Sequence, residues 1–111
     1  MMRRRDVSFR PEALADLISI FQFIRIASKS ARIAKGFVSR IRARCERIGN
    51  IPLGGRPRDD LEPGLRTVAF ERSIVIAYTV ENDRVRITNI FYGGRDYEAL
   101  YRGVSDDPDA F

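Results

Sequence analysis

Ser73-Ile74-Val75-Ile76-Ala77-Tyr78-Thr79-Val80 and, three residues later, Arg84-Val85-Arg86-Ile87-Thr88-Asn89-Ile90-Phe91 decide the fold. Side chains alternate across a strand, so the first run puts Ile74, Ile76, Tyr78 and Val80 on one face. Val75 and Ala77 fall on the other, which makes this run the most apolar strand and the most central one. The second run alternates Val85, Ile87, Asn89 and Phe91 against Arg84, Arg86, Thr88 and Ile90. Residues 65–70 read as a third strand just upstream. Glu71-Arg72 and Glu81-Asn82-Asp83 are links of hairpin length, so the three strands form an antiparallel meander.

Upstream, the period changes from two to that of a helix. Pro11 suits a first helical position, and Glu12 and Asp16 face the positive helix end. A helix over residues 11–27 carries Leu14, Leu17, Ile18, Phe21 and Ile24 on one face, with Glu12, Asp16, Ser19 and Gln22 opposite. Phe23 and Ile26 fall in or beside the polar arc, so either the next helix or a partner covers them, the next helix being the reading favoured. Ser30 is suited to cap a second helix reaching Ile48, with Gly49 closing it in a left-handed conformation. Its buried stripe is Ala34, Phe37, Val38, Ile41, Cys45 and Ile48, which makes Cys45 a small core residue and not a reactive thiol. So short a link between two helices requires an antiparallel hairpin. Residues 5–9 alternate as a short strand before it.

Residues 50–64 are dense in Pro and Gly and read as a loop without regular elements. After Gly93-Gly94, Asp96 is suited to cap a short helix through Arg102. The fold class is therefore α+β, in the order β-α-α-β-β-β with a short C-terminal helix. A helical hairpin covers one face of a small antiparallel sheet and leaves the other face partly open for a site. Residues 1–104 make a single domain and 105–111 an acidic tail.

Composition narrows the function classes. With 111 residues there is room for one domain, and with 44% hydrophobic residues there is material for a core. Histidine is absent and Cys45 is the one cysteine, which excludes His triads, disulfide frameworks and Cys- or His-based metal sites. No metal and no cofactor are expected. No apolar run is long enough for a membrane span, and the Arg3-Arg4-Arg5 start lacks the apolar segment of a secretory signal, so a cytoplasmic protein is expected. The net charge of +5 is uneven: residues 1–50 hold 12 cations and 4 anions, residues 51–111 hold 8 and 11. A basic first half suits an acidic partner, nucleic acid or protein. Arg40, Arg44 and Arg47 align along one flank of the second helix, either as a solvated face or as a docking ridge.

Several stretches, in order, resemble one family. They are Phe9-Arg10-Pro11-Glu12-Ala13 with Asp16-Leu17, then Ile51-Pro52-Leu53-Gly54-Gly55-Arg56-Pro57, then Gly64-Leu65-Arg66. Ile76-Ala77-Tyr78, Val85-Arg86-Ile87 and Gly93-Gly94-Arg95-Asp96 follow. The set resembles toxins of the RelE/ParE superfamily from bacterial type II toxin–antitoxin modules, over residues 7–100. Arg10 departs from the Ser or Thr cap usual there.

The resemblance implies a growth inhibitor, with a role in plasmid stabilisation, held inactive by a cognate antitoxin. That partner would carry an acidic C-terminal segment and a ribbon-helix-helix N-terminus; Phe23, Ile26, Arg40, Arg44 and Arg47 are the expected antitoxin surface. RelE-like members cut mRNA on the ribosome, and Arg66, Arg95 and Tyr101 match that site. Val68 and Val75 occupy its other basic positions, and without His or a nearby Lys a general base is hard to find, since Arg stays protonated. ParE-like members bind DNA gyrase without catalysis, and this branch is favoured, with Tyr92, Arg95 and Asp96 as target-binding or structural residues. The remaining alternative is an inactive chain that still binds antitoxin.

Overall fold

The meander expected over residues 65–91 is present and sits inside a larger sheet. The computed structural model describes residues 4–93 and 96–102. Among them the order is β1 (Val7–Phe9), α1 (Pro11–Ser28), α2 (Ala31–Ile48), β2 (Arg56–Pro57), β3 (Arg66–Phe70), β4 (Ile74–Glu81), β5 (Arg84–Tyr92) and α3 (Tyr97–Arg102). The five strands lie in the order β1-β5-β4-β3-β2. The sheet is mixed and not wholly antiparallel: β1 pairs parallel with β5, Val7 opposite Val85 and Phe9 opposite Ile87. The helical hairpin between β1 and the meander supplies the long crossover that a parallel pair requires. The loop over 50–64 also holds more order than its Pro and Gly content predicts, with a 3-10 turn at Pro52–Gly54 and the two-residue β2 on the sheet edge.

α2 follows its expected pattern except at Val38, which is half-buried. Ser30 Oγ accepts the Ile33 N–H at 3.1 Å, and Ala34, Phe37, Ile41, Cys45 and Ile48 are buried. Gly49 is right-handed (φ −59°), contrary to a left-handed cap. What requires glycine there is space: a Cβ would overlap the Arg5 carbonyl, and the Arg5 N–H donates to the Gly49 carbonyl at 2.8 Å. The left-handed residue of the hairpin is Lys29 (φ 57°).

α1 is rotated from its expected face. Ala13, Leu17 and Ile20 are buried, while Leu14 is 41% and Ile18 60% exposed. The cause is Asp16, read from sequence as solvent-facing. Its Oδ2 accepts the Ile90 N–H at 2.8 Å on β5, beyond the end of β1, and so turns this flank of α1 to the sheet. Small Ala13 at the contact lets the helix come close.

β5 also departs from simple alternation. Tyr78 is opposite Ile87 and Ala77 opposite Asn89, so Thr88 is an extra residue, a β-bulge. Its Oγ1 donates to the Ala77 carbonyl at 3.2 Å. Past the bulge the faces exchange. Val85, Ile87 and then Ile90 join the core under the helices, whereas Phe91 joins Leu65 and Ala77 on the other face. That second face is not open. Tyr97 of α3 stacks on Phe91 at 5.0 Å between centroids, and Leu61, Val75 and Tyr101 pack around them.

Candidate functional site

The rotation of α1 creates the main apolar surface. Leu14, Ile18 and Phe21 of α1 and Val38 of α2 line a groove of about 530 Å³ between the helices, rimmed by Arg25 and Arg42. The Arg42 guanidinium lies 5.1 Å from the Phe9 ring centre, which holds its stem against the hairpin and leaves the charge at the rim. An exposed apolar trough with cations at its edge fits the nonpolar face of an acidic amphipathic helix.

The residues expected to bind antitoxin do not form one surface. Phe23 and Ile26 are 56% and 69% exposed, so the second helix does not cover them. Ile26 lies one turn beyond Gln22, which lines the groove, and does not itself line it. Phe23 is on the opposite flank of α1, its ring 5.3 Å from that of Tyr92. Tyr92 meets Phe37, and the Arg40 guanidinium lies over Phe37 at 5.4 Å. Arg40 is already engaged, with Nε 2.9 Å and Nη2 3.2 Å from the Glu71 carboxylate, which holds that carboxyl below its usual range. Arg44 and Arg47 line a second hollow of about 430 Å³ with Ile48, Ile51, Val68 and Tyr78. On the helix they face away from Val38 and Arg42, so the ridge and the groove occupy opposite flanks of α2.

The residues matching a ribonuclease site are also dispersed. Arg66 is opposite Tyr78, on the sheet face that carries the helices. Its Nη1 is bound to the carbonyls of Leu53 (3.0 Å) and Gly55 (2.8 Å), so it holds a loop in place. Tyr101 packs on the opposite face, against Phe91. Burial pushes the Tyr101 hydroxyl pKa up; the group lies beside Thr88 without a hydrogen bond of good geometry. Val68 and Val75 likewise face opposite sides. Arg95 lies outside the described residues, and so does the tail over 105–111. Asp96 is exposed, and its carbonyl accepts the Ala99 N–H at 3.2 Å as α3 begins.

Sequence reasoning missed Arg58. It is 6% exposed. Its guanidinium binds both Asp60 oxygens at 3.0 and 2.8 Å, Glu98 at 2.7 Å and the Tyr97 hydroxyl at 3.3 Å. Hydrogen bonds from Arg58 hold the Asp60 and Glu98 carboxyls below their usual range. This node fastens α3 to the loop before β3. The run Arg58-Asp59-Asp60 hinted at local pairing, but nothing in the sequence brings Glu98 to it. Cys45 is an inert core thiol, raised to about 12 chiefly by burial. Among the described residues no group of three or more Cys, Asp or Glu side chains is placed to hold a metal ion. Nor, among the described residues, is any helix long and apolar enough to cross a membrane.

The architecture defines a small α+β protein whose exposed chemistry is apolar troughs bordered by Arg, suited to holding protein segments. Residues 7–97 match the family model of the ParE toxin of the type II toxin–antitoxin system parDE, and the chain belongs to that family. Among solved structures, a chain from the chromosomal ParDE toxin–antitoxin system of P. aeruginosa shares the fold, with a TM-score of 0.71. The two are 21% identical, and the match covers 80% of this chain and 96% of that one. No curated protein matches the sequence.

Proposed function

We propose that this ParE-family chain acts in the cytoplasm by binding DNA gyrase, and that a cognate antitoxin neutralises it with an acidic amphipathic helix laid in the α1–α2 groove. The observation that carries the binding reading is the separation of Arg66 from Tyr101. Phosphodiester cleavage requires groups that activate the 2′-hydroxyl, stabilise the phosphorane and protonate the leaving oxygen within a few ångströms of one another. Here one candidate is bonded to loop carbonyls under the helices, and the other packs on the far face of the sheet. For the antitoxin, the support is a trough of Leu14, Ile18, Phe21 and Val38 between Arg25 and Arg42. Ile26 extends this surface, and Phe23 with Tyr92 offers a further foothold at the hairpin tip.

A supercoiling assay with purified chain and gyrase tests the target. Inhibition at stoichiometric excess is expected, and none at large excess refutes it. Cleavage of mRNA on ribosomes that is lost in both Arg66→Met and Tyr101→Phe would instead establish the nuclease branch. For the antitoxin, Ile18→Asp should weaken the complex at least about thirtyfold, the scale of losing one well-buried anchor. Unchanged affinity would place the antitoxin elsewhere.

A further inference from the structure

The loop over residues 50–57 is built as a platform. The Tyr78 hydroxyl donates to the Pro52 carbonyl at 2.7 Å and accepts the Gly55 N–H at 2.9 Å. Arg66 binds two further carbonyls of the loop, those of Leu53 and Gly55. The polar backbone is thus tied inward, while Ile51 is 61% and Leu53 69% exposed. Beside Ile51, α2 presents Arg44 and Arg47, a pair one turn apart with no ion-pair partner among the described residues. Arg40, the third member of the ridge, already has Glu71.

We infer that this seam between α2 and the 50–57 loop is a second docking surface, separate from the groove, for an acidic protein segment carrying an apolar residue. Side chains three apart on a helix lie within about 5–6 Å, so Arg44 and Arg47 match two carboxylates one helical turn apart. The hollow over Val68 and Ile51 takes the apolar side chain between them. Because the loop is held by four hydrogen bonds before any partner arrives, little ordering opposes binding. Exposed Ile51 and Leu53 favour a protein over nucleic acid, whose phosphates gain nothing from apolar neighbours. The surface does not depend on the antitoxin reading, since the groove faces the other flank of α2.

The test is amide NMR of the full chain titrated with the peptide acetyl-Glu-Leu-Asp-Glu-Ile-Asp-amide. Saturable shifts at Arg44, Arg47, Ile51, Gly54 and Gly55 are expected, with Kd below about 1 mM. Arg44→Glu with Arg47→Glu should weaken binding at least tenfold, and Ile51→Asp alone should do so if the double variant folds poorly. Shifts at these amides should persist in Ile18→Asp, which separates this surface from the groove. The inference is overturned if no saturable shift appears, if shifts confine themselves to Leu14, Ile18 and Val38, or if a Lys-substituted peptide binds as well. Tighter binding of a short single-stranded RNA at the same amides would reassign the seam to nucleic acid.

Discussion

Tyr78→Phe removes one oxygen atom and leaves the ring in place. Tyr78 is fully buried on β4, and its hydroxyl is hydrogen-bonded to two loop groups, the Pro52 carbonyl and the Gly55 N–H. Without it, the Gly55 N–H is left buried without a partner. A buried donor stripped of its partner costs about 1–3 kcal/mol, and the lost bond to Pro52 adds about 1. The expected loss is about 2–4 kcal/mol. At about 4 °C per kcal/mol for a chain of this length, Tm should fall by about 8–16 °C. The urea midpoint should drop with the slope unchanged, because the exposed area on unfolding is the same. Exchange of the Gly55 amide should accelerate at least about tenfold, while amides in α1 keep their protection relative to global stability. A fall in Tm below about 3 °C, or an unchanged Gly55 exchange rate, would refute the claim that this hydroxyl holds the platform. Burial raises the Tyr78 pKa, so the fold favours the protonated phenol. That contribution is present below about pH 10 and is lost as pH rises through the folded value; alkaline destabilisation should therefore be shallower in Tyr78→Phe.

Ile41→Ala empties a fully buried site on α2 and should cost about 3–4 kcal/mol by urea denaturation; a cost under about 1 would mean the helix does not rest on the sheet through this residue. Cys45, raised to about 12 by burial, should not react with a thiol reagent at pH 8 until the chain unfolds, and labelling at the rate of a free thiol would contradict its place in the core. Asp60 and Glu98 have lowered pKa values, so the Arg58 node contributes above the usual carboxylate range near pH 4 and is lost as pH falls below it. The protection of α3 amides, relative to their intrinsic exchange rates, should fall on acidification before that of β4; simultaneous loss would refute a separate latch.

Legibility in the sequence followed the range of the interaction. Ser30 as a cap, the buried stripe of α2 apart from Val38, and the two hairpin links are local, and they read correctly. The face of α1 did not, because large apolar residues outweighed Asp16, whose partner on β5 lies 74 residues away. The strand β5 misled for a related reason. Thr88 looks like any alternating residue until β4 is beside it, and a bulge is a property of the pair. The open second face was an error of the same kind, since Phe91 belongs to it only because of that bulge. Basic residues were easy to find and hard to assign: Arg40 and Arg66 are spent on Glu71 and on carbonyls, while Arg44 and Arg47 are not.

The excess of cations over residues 1–50 bears on the chain before it meets any partner. A protein with Ile18, Ile26, Ile51 and Leu53 in water would tend to precipitate on itself through those same side chains. Arg25, Arg42, Arg44 and Arg47 stand at the edges of the apolar ground, so two copies approaching trough to trough bring like charges together first. The repulsion has a reach of about 8 Å at physiological ionic strength and about 3 Å in molar salt. Colloidal stability is thus tied to salt, and a partner of opposite sign both removes the repulsion and covers the surface that needed it.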